Sequence, residues 1–82
     1  MYWDVVEVKA KPGHRVYVRF ADGTQGNVQL DVSELSGVLV PLRDPSFFER
    51  AFVDHGAVAW PGDIDLAADA MYEKVIKQRS PA

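Results

Sequence analysis

The stretch VRFADGTQGNVQL, residues 18–30, decides how the chain begins to fold. Two apolar–polar alternations flank its Ala21-Asp22-Gly23. Before it, Val16, Val18 and Phe20 alternate with Arg15, Tyr17 and Arg19. After it, Val28, Leu30 and Val32 alternate with Asn27, Gln29 and Asp31. Period two with one apolar face is the pattern of half-buried strands. Turn length then fixes the register. A two-residue Asp22-Gly23 loop pairs Val18 with Asn27 and Val16 with Gln29, which sets apolar against polar on one face. A three-residue loop pairs Phe20 with Thr24, Val18 with Gly26 and Val16 with Val28. Gly23 then takes the left-handed position that closes such a loop, where a residue without Cβ is least strained. The three-residue register is the predicted one.

Working outward, Val6, Val8 and Ala10 alternate with Glu7 and Lys9, which gives a first strand ending at Lys11-Pro12-Gly13. Val32–Gly37 has room for one helical turn, and residues 38–42 form an apolar bridge. Asp44-Pro45 opens a short helix, because Asp44 can cap free amides and Pro45 suits the first helical position. Ala51–Val53 and Ala57–Trp60 read as a second hairpin closed by His55-Gly56. Trp60-Pro61-Gly62 must then turn the chain. Ala67, Met71 and Val75 fall four apart with Tyr72 and Ile76 beside them, so a helix is predicted over 66–77 with Asp65 as its cap. Asp65 and Asp69 stand at its start, and Lys74 and Lys77 at its end, as the helix dipole favours.

The expected fold is therefore α+β: a three-stranded antiparallel meander, a short helix, a second β-hairpin and a C-terminal helix packed on the sheet. One domain over 1–82 is expected, ordered over roughly 2–77, with 78–82 as a frayed tail. Its predicted core is Val6, Val8, Val16, Val18, Val28, Leu30, Phe47, Val58, Trp60, Leu66, Met71 and Val75.

Composition narrows the function. The 82 residues carry a net charge of -3 and no cysteine. That excludes disulfides, thiolate nucleophiles and zinc–thiolate sites, and it fits a reducing, cytoplasmic location. No apolar run approaches the roughly 18 residues a membrane span needs. Met1-Tyr2-Trp3-Asp4 lacks the basic and apolar regions of a signal peptide. The nine Lys and Arg stand singly apart from Lys9/Lys11 and Lys74/Lys77/Arg79, so direct nucleic-acid binding is not expected.

No catalytic constellation stands out. Asp63, Asp65 and Asp69 could be read as oxygen ligands for a hard cation, but a bare D-x-D offers too few. The favoured reading makes them helix-entry residues. His14 and His55 fall in predicted turns with no base or acid partner nearby in sequence. Ser33, Ser36, Ser46 and Ser80 lack the G-x-S-x-G context, and Gly23, Gly26 and Gly37 do not make a phosphate loop. No metal or other cofactor is expected. What remains is Tyr17 between Arg15 and Arg19, on the face opposite Val16 and Val18. It reads either as an ordinary solvated sheet face or as an anchor for a partner, since Tyr and Arg dominate interface energetics.

The order of three pieces carries a resemblance: VRFADGTQGNVQL, then VLVPLRDPSFF at 38–48, then VAWPGDIDLAADAMYE at 58–73. With Pro41-Leu42-Arg43-Asp44, Trp60-Pro61 and Asp65-Leu66, the chain resembles the bacterial family known as domain of unknown function 2442 over about residues 3–75. That resemblance implies a small α+β domain, an antitoxin-like or regulatory partner protein, and an interaction module more than an enzyme. The leading expectation is a non-enzymatic module that binds another small protein through a sheet face or a strand edge. Pairing of copies through an edge is also expected to be open to it. The second expectation is a nucleic-acid-linked transcriptional regulator acting through Arg15, Tyr17 and Arg19 or through a partner. The third, an enzyme, requires His14 or His55 to meet a carboxylate in a cleft.

Overall fold

The alternating segments pair as the turn lengths dictate. The structure, a computed structural model, describes residues 2–79; of the tail expected at 78–82, residues 78 and 79 continue the last helix and 80–82 lie outside the described residues. Strands β1 (Val5–Lys11), β2 (Arg15–Phe20) and β3 (Gln25–Gln29) form an antiparallel sheet in the order β1-β2-β3. Val16 faces Val28 and Val18 faces Gly26. The Phe20 amide donates to the Thr24 carbonyl at 2.8 Å, closing the three-residue loop.

The β1–β2 turn is also three residues long, Pro12-Gly13-His14, with Lys11 opposite Arg15. Pro12 leads Gly13, whose φ of 79° is the conformation a type II turn needs at its second central position. The same Pro-Gly device recurs at Pro61-Gly62-Asp63, where φ is 91° at Gly62 and 61° at Asp63. There it folds the chain straight back, and Trp60 pairs with Ile64.

That second turn corrects two expectations. The second sheet has three strands, β4 (Phe52–Asp54), β5 (Ala57–Trp60) and β6 (Ile64–Leu66), in the order β4-β5-β6. Asp65 sits in β6 opposite Ala59 and does not cap a helix. Helix α2 begins later and runs over Ala68–Arg79, two residues beyond the expected end. Ile64-Asp65-Leu66 alternates, and β6 buries Ile64 while pairing β5's second edge, gains a helix cap cannot match.

One cluster of buried side chains joins both sheets, α2 and the connection between the sheets. The connection consists of two 3₁₀ segments, Val32–Glu34 and Gly37–Arg43, and the single turn α1 (Pro45–Phe48). Asp31 and Asp44 cap Ser33 and Ser46 amides at 3.0 Å each. Trp60, 1% exposed, packs against Phe48 with ring centroids 5.6 Å apart and donates its indole N–H to the Phe48 carbonyl at 2.9 Å.

Four core expectations shift by one position or move to the margin. Val5 is buried and Val6 is 46% exposed. A bulge causes this: Val5 pairs with Phe20 while Glu7 pairs with Arg19, so Val6 is the extra residue. Phe48 is buried and Phe47 half-buried, because the single helical turn aims only Phe48 at Trp60. Leu66 and Val8 are half-buried at the cluster's margin, and Ile76 of the helical stripe is 44% exposed.

Helix α2 lies against β3, and Gly26 is the reason it can. A Cβ at Gly26 would sit 3.0 Å from Cγ1 of Val75, itself fully buried. Gly26→Val should therefore lower unfolding stability by about 1–3 kcal/mol, the usual cost of overpacking a core. Urea denaturation of Gly26→Val, and of Gly26→Val with Val75→Ala, checks this; the second change should restore part of the loss.

Candidate functional site

The odd-numbered residues of β2 point away from the core, and strand pairing brings their neighbours onto the same face. Across the sheet the rows are Lys11–Arg15–Gln29, Lys9–Tyr17–Asn27 and Glu7–Arg19–Gln25. Arg15, Tyr17 and Arg19 thus share one surface, as their alternation predicts. Lys9 and Lys11 join them, which the reading of scattered cations missed. The signal was present in the alternation of β1, but it needed the Lys11–Arg15 register to be seen.

The face is ordered by its own contacts. The Tyr17 hydroxyl donates to Gln25 Oε1 at 2.5 Å. Arg19 Nε donates to Glu7 Oε1 at 3.1 Å, and Lys9 Nζ lies 3.7 Å from Glu7 Oε2. Arg15 Nε donates to the Pro12 carbonyl at 3.2 Å, which holds the guanidinium over the turn. Gln29 Nε2 donates to the Gly13 carbonyl at 2.7 Å. These exposed contacts are individually weak, but together they preset the side-chain positions.

Charge is segregated. The face carries four cations and one carboxylate, Glu7. The rest of the chain holds the remaining five of nine Lys and Arg against eleven of twelve Asp and Glu. A surface of net +3 therefore sits on a body of net -6, and together they give the overall -3.

The other candidates do not assemble. Asp63 is in the β5–β6 turn, Asp65 in β6 and Asp69 in the first turn of α2. Asp63 and Asp65 line a hollow of about 280 Å³ with Asp54, Trp60, Pro61 and Gly62, and Asp69 is not among its walls. Among the described residues no group of three His, Asp or Glu converges to hold a metal ion. His14 Nε2 lies 3.0 Å from the Leu42 carbonyl and 3.1 Å from that of Arg43. Carbonyls only accept, so Nε2 carries a proton and the ring clips the β1–β2 turn to the connection. His55 meets Asp54 at 3.1 Å, with 95% of its side chain exposed at a hairpin tip. Ser33 Oγ donates to Asp31 at 2.8 Å, and Ser80 lies outside the described residues.

A small α+β domain with a preset basic sheet face is the class this architecture defines. The chain belongs to the family described as "Protein of unknown function (DUF2442)", which matches residues 5–77. No curated protein and no solved structure matches the chain. Among the described residues no helix is long and apolar enough to cross a membrane.

One contact gives the fold a pH signature. The Tyr72 hydroxyl of α2 donates to Asp22 Oδ2 at 2.5 Å, and the Thr24 amide donates to Asp22 Oδ1 at 2.9 Å. The Tyr72 bond, then the amide, holds the Asp22 carboxyl below its ordinary 3.8. The same bond holds the Tyr72 phenol above its ordinary 10.0. A depressed acid contributes stability above its unfolded value and loses it as pH falls through the folded value. A raised phenol contributes below its unfolded value and loses it as pH rises through the folded one. Urea titrations of the parent should thus weaken below pH 3.8 and above pH 10.0. Tyr72→Phe should remove the alkaline loss that Tyr72 contributes and lessen the acid loss that Asp22 contributes.

Proposed function

We propose that this chain is a non-enzymatic protein-interaction module that docks an acidic surface of a small partner protein on the outer face of β1–β3. The observation that carries the reading is the segregation of charge onto that face, +3 against -6 elsewhere. Tyr17 at its centre, flanked by two arginines, supplies the side chains that dominate interface energy. Complementary charge would steer encounter and fix register. The partner class implied by the family resemblance, a small protein encoded nearby and held in an antitoxin-like or regulatory pairing, is one this face would suit.

The face suits docking better than an edge does. Strand β6 has three residues with charged Asp65 at its middle, and short charged edges discourage strand addition. Pairing of copies through an edge is the weaker mode; light scattering across a concentration series should return the monomer mass.

A second reading rests on the same charge. Cations in rows also suit a phosphate backbone, either directly or in a complex whose partner adds basic surface. Four cations limit the salt slope to about -4 in log–log terms.

The product of the adjacent gene, co-expressed and captured on the tagged chain, is the first test. Lys11→Glu with Arg15→Glu should weaken capture at least about thirtyfold, the scale of a lost hot spot, with unchanged circular dichroism. Glu73→Lys, exposed on α2 at the core side of the sheet, should not. Capture insensitive to the double reversal defeats the proposal. Anisotropy titration of a 30-base-pair duplex over a salt series separates the second reading: saturable binding, lost in the double reversal, supports the regulator.

A further inference from the structure

The beginning of the chain and the first turns of α2 form a surface of the opposite character. Tyr2 meets Trp3 edge to face, with centroids 4.8 Å apart and planes at 77°. Tyr2 meets Tyr72 in the same way at 5.3 Å and 77°. These three rings, with Asp69, Ala70 and Glu73, line a cleft of about 350 Å³. Small-ligand sites span roughly 300–1,000 Å³. Phe20 braces Tyr72 from within the core, 5.0 Å away, and the Tyr72 hydroxyl donates a hydrogen bond to Asp22. The ring is thus held both from the core side and at its tip.

The two acids stand four apart on one side of α2. Among the described residues neither is paired with a cation: the ion pairs join Glu7 to Lys9 and Arg19, and Asp54 to His55. Asp69 Oδ1 accepts only from the neighbouring Ala70 amide, at 2.9 Å. Aromatic walls beside uncompensated carboxylates suit a cation, and the walls decide which kind. A hard metal ion demands a shell of six or so oxygen ligands, which three rings and two carboxylates do not supply. A weakly hydrated organic cation gains from ring quadrupole and carboxylate alike.

We propose that this cleft binds a small quaternary-ammonium ion, its methyl groups against Tyr2, Trp3 and Tyr72 and its charge toward Asp69 and Glu73. The site is separate from the basic sheet face and does not depend on the function assigned to that face.

Two tryptophans serve as internal reporters, Trp3 in the cleft and Trp60 buried in the core. The whole chain is titrated with choline chloride and with tetramethylammonium chloride by ¹H–¹⁵N correlation spectroscopy, at ionic strength matched with sodium chloride. The Trp3 indole and the amides of residues 69–73 should shift saturably while the Trp60 indole stays in place. The neutral isostere 3,3-dimethylbutan-1-ol should bind about five- to thirtyfold more weakly than choline, the factor for a cation–π contribution of about 1–2 kcal/mol. Trp3→Leu should abolish the shifts. Glu73→Gln, an exposed change that leaves the fold intact, should weaken binding several-fold. Equal affinity for choline and its neutral isostere, or no saturable movement of the Trp3 indole, overturns the proposal.

Discussion

Two three-stranded sheets share one core, and Trp60 is its largest fully buried side chain. An aromatic of this kind hides about 150–250 Å². At about 25 cal/mol per Å² that is a gross gain of about 4–6 kcal/mol. A domain's whole net stability is about 5–15 kcal/mol, so this one side chain is decisive. Its hydrogen bond to Phe48 also satisfies the only polar atom it brings inside. Around it, each sheet commits one face inward. Among the described residues the other face of β1–β3 is left to solvent, and the side chains it carries are polar. The basic surface is that face.

Much of this was legible because period-two alternation reports which face is buried, and turn length reports register. Val16, Val18 and Val28 could be paired before any coordinates because only one loop length kept them together. The bulge at Val6 was not legible. Val5 and Val6 are equally apolar, and the choice between them is made by how β1 meets Phe20 and by the Val5 amide donating to the Gly56 carbonyl at 2.8 Å. That contact comes from the second sheet, far along the chain. Likewise Phe47 and Phe48 differ only in which one the single turn of α1 directs at Trp60.

Strand β6 was missed for a different reason. Asp63, Asp65 and Asp69 ahead of an apolar stripe look like a helix entrance, and the capping preference is real. Yet Ile64-Asp65-Leu66 also alternates, and Pro61-Gly62 can reverse the chain as Pro12-Gly13 does. Two local signals competed over the same residues, and pairing with β5 won because it satisfies several backbone groups at once. The later start of α2 follows directly: the chain cannot be strand and helix at Leu66.

Net charge is likewise an average. A value of -3 argues against an anionic partner only if charge is spread evenly. Adjacent strands are about 4.8 Å apart and alternate residues about 6.6 Å along a strand, so each of Lys9, Lys11, Arg15 and Arg19 has another of these cations within one Debye length, about 10 Å at 0.1 M salt. The molecule measures 31 × 29 × 20 Å, so carboxylates on its far side lie beyond that distance and are screened. A partner approaching the sheet meets a basic surface, and one approaching the first turns of α2 meets Asp69 and Glu73. The field at each surface is local, and the total that composition reports does not describe either of them.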